Sequence, residues 1–537
     1  MKLHAESVQD VASASNFFEV KTRHLHLDLT VNFEAREIRA WAELTLVSLR
    51  DDLQTVFLDS HDTLTISEVK VKATGQATFS VQPFANYGSQ LVVTLYFYHF
   101  CRVQNLFFTS NSIGICLVHK VKPFLYTQGQ SVLNRSFFPC QDTPAVKATY
   151  SAVVSVPDGF TAVMSANKSS SGKRSNRELS TNCVFFEQTN PVPAYLVALA
   201  VGDLQSASIG PRSHVWAEPS VLERAQAEFK DVVEDFLQTG ERLFGEYVWG
   251  KYDILVMPPS FPYGGMENPC LTFVTPCIIV GDKSLTDVVI HEITHSWFGN
   301  LVTNVNWSEF WLNEGFTMYG QRRIEEELYG KAAMCLEALS GQALLRRHIE
   351  QDPAGPLTKL RVIIEKGVDP DDTYNETPYE KGFSFVCYLQ SLVGDVHKFD
   401  EFLKAYIQEF KFKSIVAEDL FDFFLNYFPH LRDQRVHEKP GFEFVNTWLN
   451  APGWPPFSPD LSTHEELSAP AKQAAELFSQ KQDIEDLSGR VPDFESWGTY
   501  KIIHFLDILS ERSPLAPEKI RQLLQHCPYL SASRNAE

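Results

Sequence analysis

From residue 24 to 33 the chain reads HLHLDLTVNF, in which Leu25, Leu27, Leu29, Val31 and Phe33 alternate with polar residues. A two-residue period marks a strand with one face buried. ELTLVSL, YSAVVSV and YLVALAV continue the pattern, with proline and glycine between them, so roughly the first two hundred residues are predicted to be β-structure. Near residue 220 the period changes. In VLERAQAEFKDVVEDFLQTGERLFG, residues Leu222, Ala225, Phe229, Val232, Val233, Phe236 and Leu243 fall on one helical face, which puts a domain boundary at about residue 213.

A second boundary is compositional. NAPGWPPFSPDLS, from Asn450 to Ser462, holds too many prolines for regular structure. Helical spacing returns beyond it in SWGTYKIIHFLDILSE and PEKIRQLLQHC. The expected organisation is a multidomain α and β protein: an N-terminal β domain (1–213), a central domain (214–449), a proline-rich linker (450–463) and a C-terminal helical domain (464–537). A chain of 537 residues exceeds what one core organises, which agrees with such a division.

Charge and cysteine content narrow the partners. With 47 basic against 67 acidic residues the net charge is −20, which argues against nucleic acid and anionic membrane surfaces. The nine cysteines are scattered, with no CxxC, and read as reduced core thiols. The most apolar run, LVVTLYFYHF with the residues just after it, is broken by His99, Arg102, Gln104 and Asn105, so no membrane span is expected. The N-terminus MKLHAESVQD lacks an apolar h-region. A soluble protein is expected, cytoplasmic or else secreted without a visible signal peptide.

One stretch changes the picture: VVIHEITHSWFGN, residues 288–300. On a helix, His291 and His295 share a face and can present two imidazoles to one point. A catalytic zinc site takes three protein ligands and keeps one position open. FWLNEGFTMYGQRRIEEEL supplies a third candidate in Glu314, with 18 residues between it and His295, early in a second amphipathic helix. Glu292 would then face the metal's water as a proton acceptor and not as a ligand. The motif alone equally describes a buried helix with two satisfied histidines; the NEG at this spacing favours the metal.

GGMEN (264–268), HEITHSW (291–297), WLNEGF (311–316) and PYEKG (378–382) together resemble, in order and spacing, the M1 family of zinc aminopeptidases, the gluzincins. The resemblance spans almost the whole chain. It implies an N-terminal β-sheet saddle domain, a thermolysin-like α+β zinc catalytic domain and a C-terminal α-helical domain. It also implies one Zn2+ and peptide substrates with a free N-terminus, processed by a monomer. Glu267 would hold the substrate's α-ammonium group, helped by Gln130 of YTQGQ, while Gly264, Gly265 and Met266 lie along the peptide. Tyr379 matches the family's transition-state tyrosine, and Tyr374 a second active-site tyrosine of one branch. In the branch that prefers Arg and Lys, Asp371 of DPDDTY corresponds to a pocket aspartate; two aspartates before a helix are equally common as caps. The chain departs from the family at 96–121, which is aromatic-rich without clear alternation, and its helical domain is expected to be truncated. Rival readings are epoxide hydrolysis on the same site, from which FTMYGQRRI and HSWFGN point away, and an inactive relative that only binds peptides.

Overall fold

The alternation at 24–33 becomes a central strand. The computed structural model describes residues 3–71, 75–95, 102–110, 114–116, 122–172, 182–479 and 491–526. Val20–Asn32 lies between Lys147–Ser155, to which it is parallel, and Glu37–Ser48, to which it is antiparallel, in an eight-stranded sheet. Leu27 faces Ala152 on one side and Ala42 on the other, and Leu27, Leu29, Ala42 and Leu44 are fully buried. The period-2 pattern therefore marks the face that packs into the core.

Two sequence expectations are refined. YLVALAV is only half a strand: Ala194–Leu196 forms a 3-10 turn before the strand Leu199–Gly202. Within 96–121, where no alternation is visible, Arg102–Ser110 is nonetheless a strand between Glu37–Ser48 and Leu64–Val71, and Gly114–Cys116 forms a second. The rest of that stretch lies outside the described residues.

A five-stranded sheet comes next, ordered Gln205–Gly210, Ser213–Ala217, Asp253–Val256, Leu271–Val274 and Gly265–Met266. Its last member is an edge strand, antiparallel to its neighbour. The helical face read at 222–243 is divided between α1 (Leu222–Phe229) and α2 (Val233–Phe244), because Lys230 is extended and Asp231 takes a left-handed conformation. Further along the chain are α3 (Asp287–Thr294), α4 (Trp311–Tyr329), α5 (Lys331–Gln351) and α6 (Gly382–Val393). α4 is buried nearly all round, with α3, α5 and α6 packed against it. Beyond the proline-rich segment, helices Glu465–Ser479, Thr499–Glu511 and Pro517–His526 build a separate small core around Phe478, Phe494, Trp497 and Phe505. No helix among the described residues is long and apolar enough to cross a membrane.

Candidate active site

α3 buries Val289, Ile290 and Ile293, which leaves His291 and His295 together on the face toward α4. His291 Nδ1 lies 3.0 Å from Gln321 Oε1. His295 Nδ1 lies 2.9 Å from the Phe298 carbonyl and 3.0 Å from Thr317 Oγ1. Carbonyl acceptors hold a proton on each Nδ1 and leave each Nε2 lone pair free. The two Nε2 atoms are 3.1 Å apart and stand 3.4 Å (His291) and 3.3 Å (His295) from Glu314 Oε2. Zinc bonds of about 2.0–2.1 Å in tetrahedral geometry separate neighbouring ligand atoms by about 3.3 Å. The three side chains fit such an ion as they stand. Their electrostatics ask for a cation. Burial disfavours a charged His295, yet Glu314 and Glu267 outweigh it and push its pKa up to about 10. Burial is likewise outweighed at Glu314, which His295 and His291 hold down at about 2.

Two glycines fix the distance between motifs. A Cβ on Gly315 would sit 2.7 Å from the Gly382 Cα, and one on Gly382 would sit 2.7 Å from the Gly315 Cα. The backbone after Glu314 therefore packs directly on the backbone after Tyr379. Two turns along α4, the fully buried Arg322 binds Glu337 (2.5 and 3.1 Å) and Glu380 (2.7 and 2.9 Å). Thr377–Lys381 is a π-helical turn, and Lys381 Nζ donates to the carbonyls of Thr358, Ala451 and Gly453. That clamp ties the proline-rich segment to the turn; burial lowers the Lys381 pKa to about 8. Tyr379 is thereby held over His291, ring centroids 6.2 Å apart, with its hydroxyl 3.2 Å from that of Tyr374. Burial and the charge of Glu314 raise its pKa well above that of a free phenol, so it remains a donor.

Glu267 directly succeeds the edge strand Gly265–Met266 and is 5% exposed, with Oε1 enclosed and unbonded among the described residues. Glu292 is equally buried, and its Oε2 likewise has no hydrogen-bond partner among the described residues. One oxygen of each carboxylate and a ring nitrogen of His295 lie within 4.8 Å of one another. Burial first, and then neighbouring carboxylates, raise the pKa of both acids against the pull of His295. Gly265 is needed here, since a Cβ would fall 2.2 Å from Glu292 Oε1.

These groups open on one cleft of about 650 Å³. Every candidate read from the sequence lines it: Gln130, Gly264, Gly265, Met266, Glu267, His291, Glu292, His295, Glu314, Asp371, Tyr374 and Tyr379. Asp371 is not the cap of its turn. Asp369 caps it, by accepting from the Asp371 N–H, while Asp371 Oδ1 accepts from the Ser131 N–H at 3.1 Å. The sequence reading missed Gln321 and Thr317, which orient the histidines, and Asp287, Val288, Met318 and Glu337, which line the cleft. Gln321 stands seven residues after Glu314, two turns along the same face, and that spacing was a usable signal.

The fold and this site define a class: the chain belongs to peptidase family M1 and is a zinc-dependent aminopeptidase. Residues 21–196 match the Peptidase M1 N-terminal domain, and residues 227–448 the Peptidase family M1 domain. Among individual proteins, it is 51% identical to aminopeptidase B of Rattus norvegicus, over all of this chain and 85% of that protein. It is 38% identical to leukotriene A-4 hydrolase of Xenopus laevis, over 98% of this chain and 87% of the relative. The solved structure of yeast LTA4 hydrolase in complex with bestatin superposes with a TM-score of 0.89 at 32% identity, covering 99% of this chain and 86% of that one.

Proposed function

We propose that the protein removes single N-terminal residues from peptides, with a preference for Arg and Lys, using one zinc ion held by His291, His295 and Glu314. The observation that carries this reading is the placement of Glu267. Its enclosed Oε1 has no hydrogen-bond partner among the described residues, and a buried carboxylate oxygen so placed favours a cationic partner. Standing within 4.8 Å of His295 and Glu292, it leaves room for about one residue between a bound ammonium group and the ligand trio. That geometry supports an exopeptidase.

When bound, the zinc supplies a Lewis acid and an acidified water beside the peptide carbonyl. The chain's own groups do the rest. The free edge of Gly265–Met266 receives the peptide backbone like an added strand. Glu267, with Gln130 beside it, grips the α-ammonium. Glu292, whose burial raises its proton affinity, accepts the proton of the attacking water and returns it to the departing amine. Tyr379, whose O–H donates to the Tyr374 hydroxyl in the free protein, turns its proton to the carbonyl oxygen as negative charge builds there. Asp371 meets the side chain of a basic first residue. The acidic pocket aspartate and the 51% identity to an aminopeptidase B support the basic preference.

The test pairs metal content with turnover of an arginyl aryl amide. Glu292→Gln is expected to keep one zinc per chain while kcat falls by about 10²–10⁴; His295→Phe is expected to lose both. A zinc-free Glu292→Gln protein would overturn the division of roles, and a zinc-loaded wild type inert toward aminoacyl amides would overturn the activity.

A further inference from the structure

The two histidines of the site are oriented by different kinds of acceptor, and only one kind is unambiguous. His295 Nδ1 lies against the Phe298 carbonyl, a backbone group that can only accept, and the Thr317 hydroxyl donates to that same oxygen at 2.9 Å. The His295 ring therefore carries its proton on Nδ1. His291 Nδ1 instead meets the side-chain amide of Gln321. An amide has an accepting end and a donating end of nearly the same shape. With Oε1 toward the ring, His291 is protonated on Nδ1 and offers Nε2 to a metal. With the amide nitrogen toward the ring, the proton moves to Nε2 and the ligand is lost.

What fixes the amide is Glu325. α4 carries Glu314, Gln321 and Glu325 along one stripe, seven and then four residues apart. Glu314 stands at His291 Nε2, Gln321 Oε1 at its Nδ1, and Gln321 Nε2 donates to Glu325 Oε1 at 3.0 Å. Gln321 is 3% exposed and Glu325 5%, so solvent cannot satisfy the amide in the reversed position. Turning it over would set two acceptors against each other at Glu325. The adjacent Arg322 is engaged by Glu337 and Glu380 and leaves Glu325 to the amide. Burial and the nearby Glu337 and Asp287 raise the proton affinity of Glu325, and the Gln321 N–H opposes them. A cation at His291 acts in the same sense as that N–H, towards the ionised form, which only accepts.

We infer that Glu325 is a positioning residue for the metal: it orients the Gln321 amide, and through that amide fixes the His291 tautomer that can bind zinc. This rests on the assignment of His291, His295 and Glu314 as ligands and adds a residue that touches neither zinc nor substrate. A glutamine in place of Glu325 keeps the volume but can present either end to Gln321. Both amides can then turn over together, and the wrong tautomer becomes accessible.

The experiment measures zinc dissociation constants of the full chain by competition with a chelator. Glu325→Gln should weaken zinc binding about tenfold. Exchanging the pair, Gln321→Glu with Glu325→Gln, puts the accepting carboxylate directly on His291 and an amide donor behind it, and should return the affinity to within about threefold of wild type. Gln321→Leu should weaken zinc about tenfold by itself, and adding Glu325→Gln to it should change nothing further, because the path is already cut. Thermal midpoints of the metal-free chains report folding, and the exchanged pair gives the answer if Glu325→Gln does not fold. Wild-type affinity in Glu325→Gln would overturn the inference. So would an exchanged pair that recovers nothing, or an equal further loss in the Gln321→Leu background, which would mark Glu325 as a charge acting at a distance. A wild-type chain that takes up no zinc would overturn the ligand assignment, and this inference with it.

Discussion

Two buried acidic clusters lie back to back on α3 and α4, and they are balanced differently. Around the histidines, Glu314, Glu292 and Glu267 crowd a small volume with no arginine or lysine among them. Behind them, Glu337 and Glu380 share a single fully buried arginine, and Asp287 and Glu325 stand beside that pair. Both arrangements would be costly if left uncompensated, because a charge in the interior needs a partner. The first cluster leaves its countercharge to things that bind. The second is partly neutralised by the chain itself, and so serves as structure.

That contrast is broken most severely at Arg322. Removing it in Arg322→Met strands two carboxylates and should cost about 3–5 kcal/mol of stability. Thermal or urea unfolding, with zinc content measured in parallel, reads the loss. Restoring neutrality with Glu337→Gln and Glu380→Gln in the same chain should recover part of it. No comparable destabilisation is expected from Glu292→Gln, whose carboxylate has no paired cation in the chain. If both substitutions destabilised equally, the distinction between a structural and a binding cluster would fail.

Part of the first cluster was legible in the sequence because its spacing is local. His291 and His295 are one helical turn apart, and the NEG that follows offers Glu314 early in the next helix, whereas Glu267 was read only through the family resemblance. The β-sheet was legible for a similar reason, since Leu25, Leu27 and Leu29 declare their buried face two residues at a time. The second cluster was not. Asp287, Glu325, Glu337 and Glu380 come from four elements, joined by Arg322 and closed by Tyr500 from the C-terminal helices. Nothing in the spacing of these residues announces their meeting. The roles of Gly315 and Gly382 were hidden too. Each appears as a motif letter, but the reason for it is backbone contact between two distant segments.

A smaller effect tests the binding side. Glu267→Ala removes a carboxylate that the chain itself does not pair, so the folded protein should keep its zinc and its thermal midpoint. Turnover of free-amine substrates should fall, by an amount corresponding to about 2–4 kcal/mol for a buried ionic hydrogen bond. The matching observation is that N-acetylated substrates, which carry no ammonium group, should be poor for both proteins. A large loss of stability in Glu267→Ala would show that this carboxylate belongs with the structural cluster after all.

The smallest effect is expected at the solvent-exposed side of the cleft. Asp371 sits on a short turn beyond α5, anchored by the Ser131 N–H, and is partly open to solvent. Water screens a charge placed there, so its pairing with an arginine side chain is worth less than one in the interior. Asp371→Asn should therefore lower kcat/KM for arginyl and lysyl amides by about tenfold relative to alanyl amide, and leave zinc content unchanged. Its effect should be confined to the first residue. Equal losses on arginyl, lysyl and alanyl amides would remove Asp371 from the pocket.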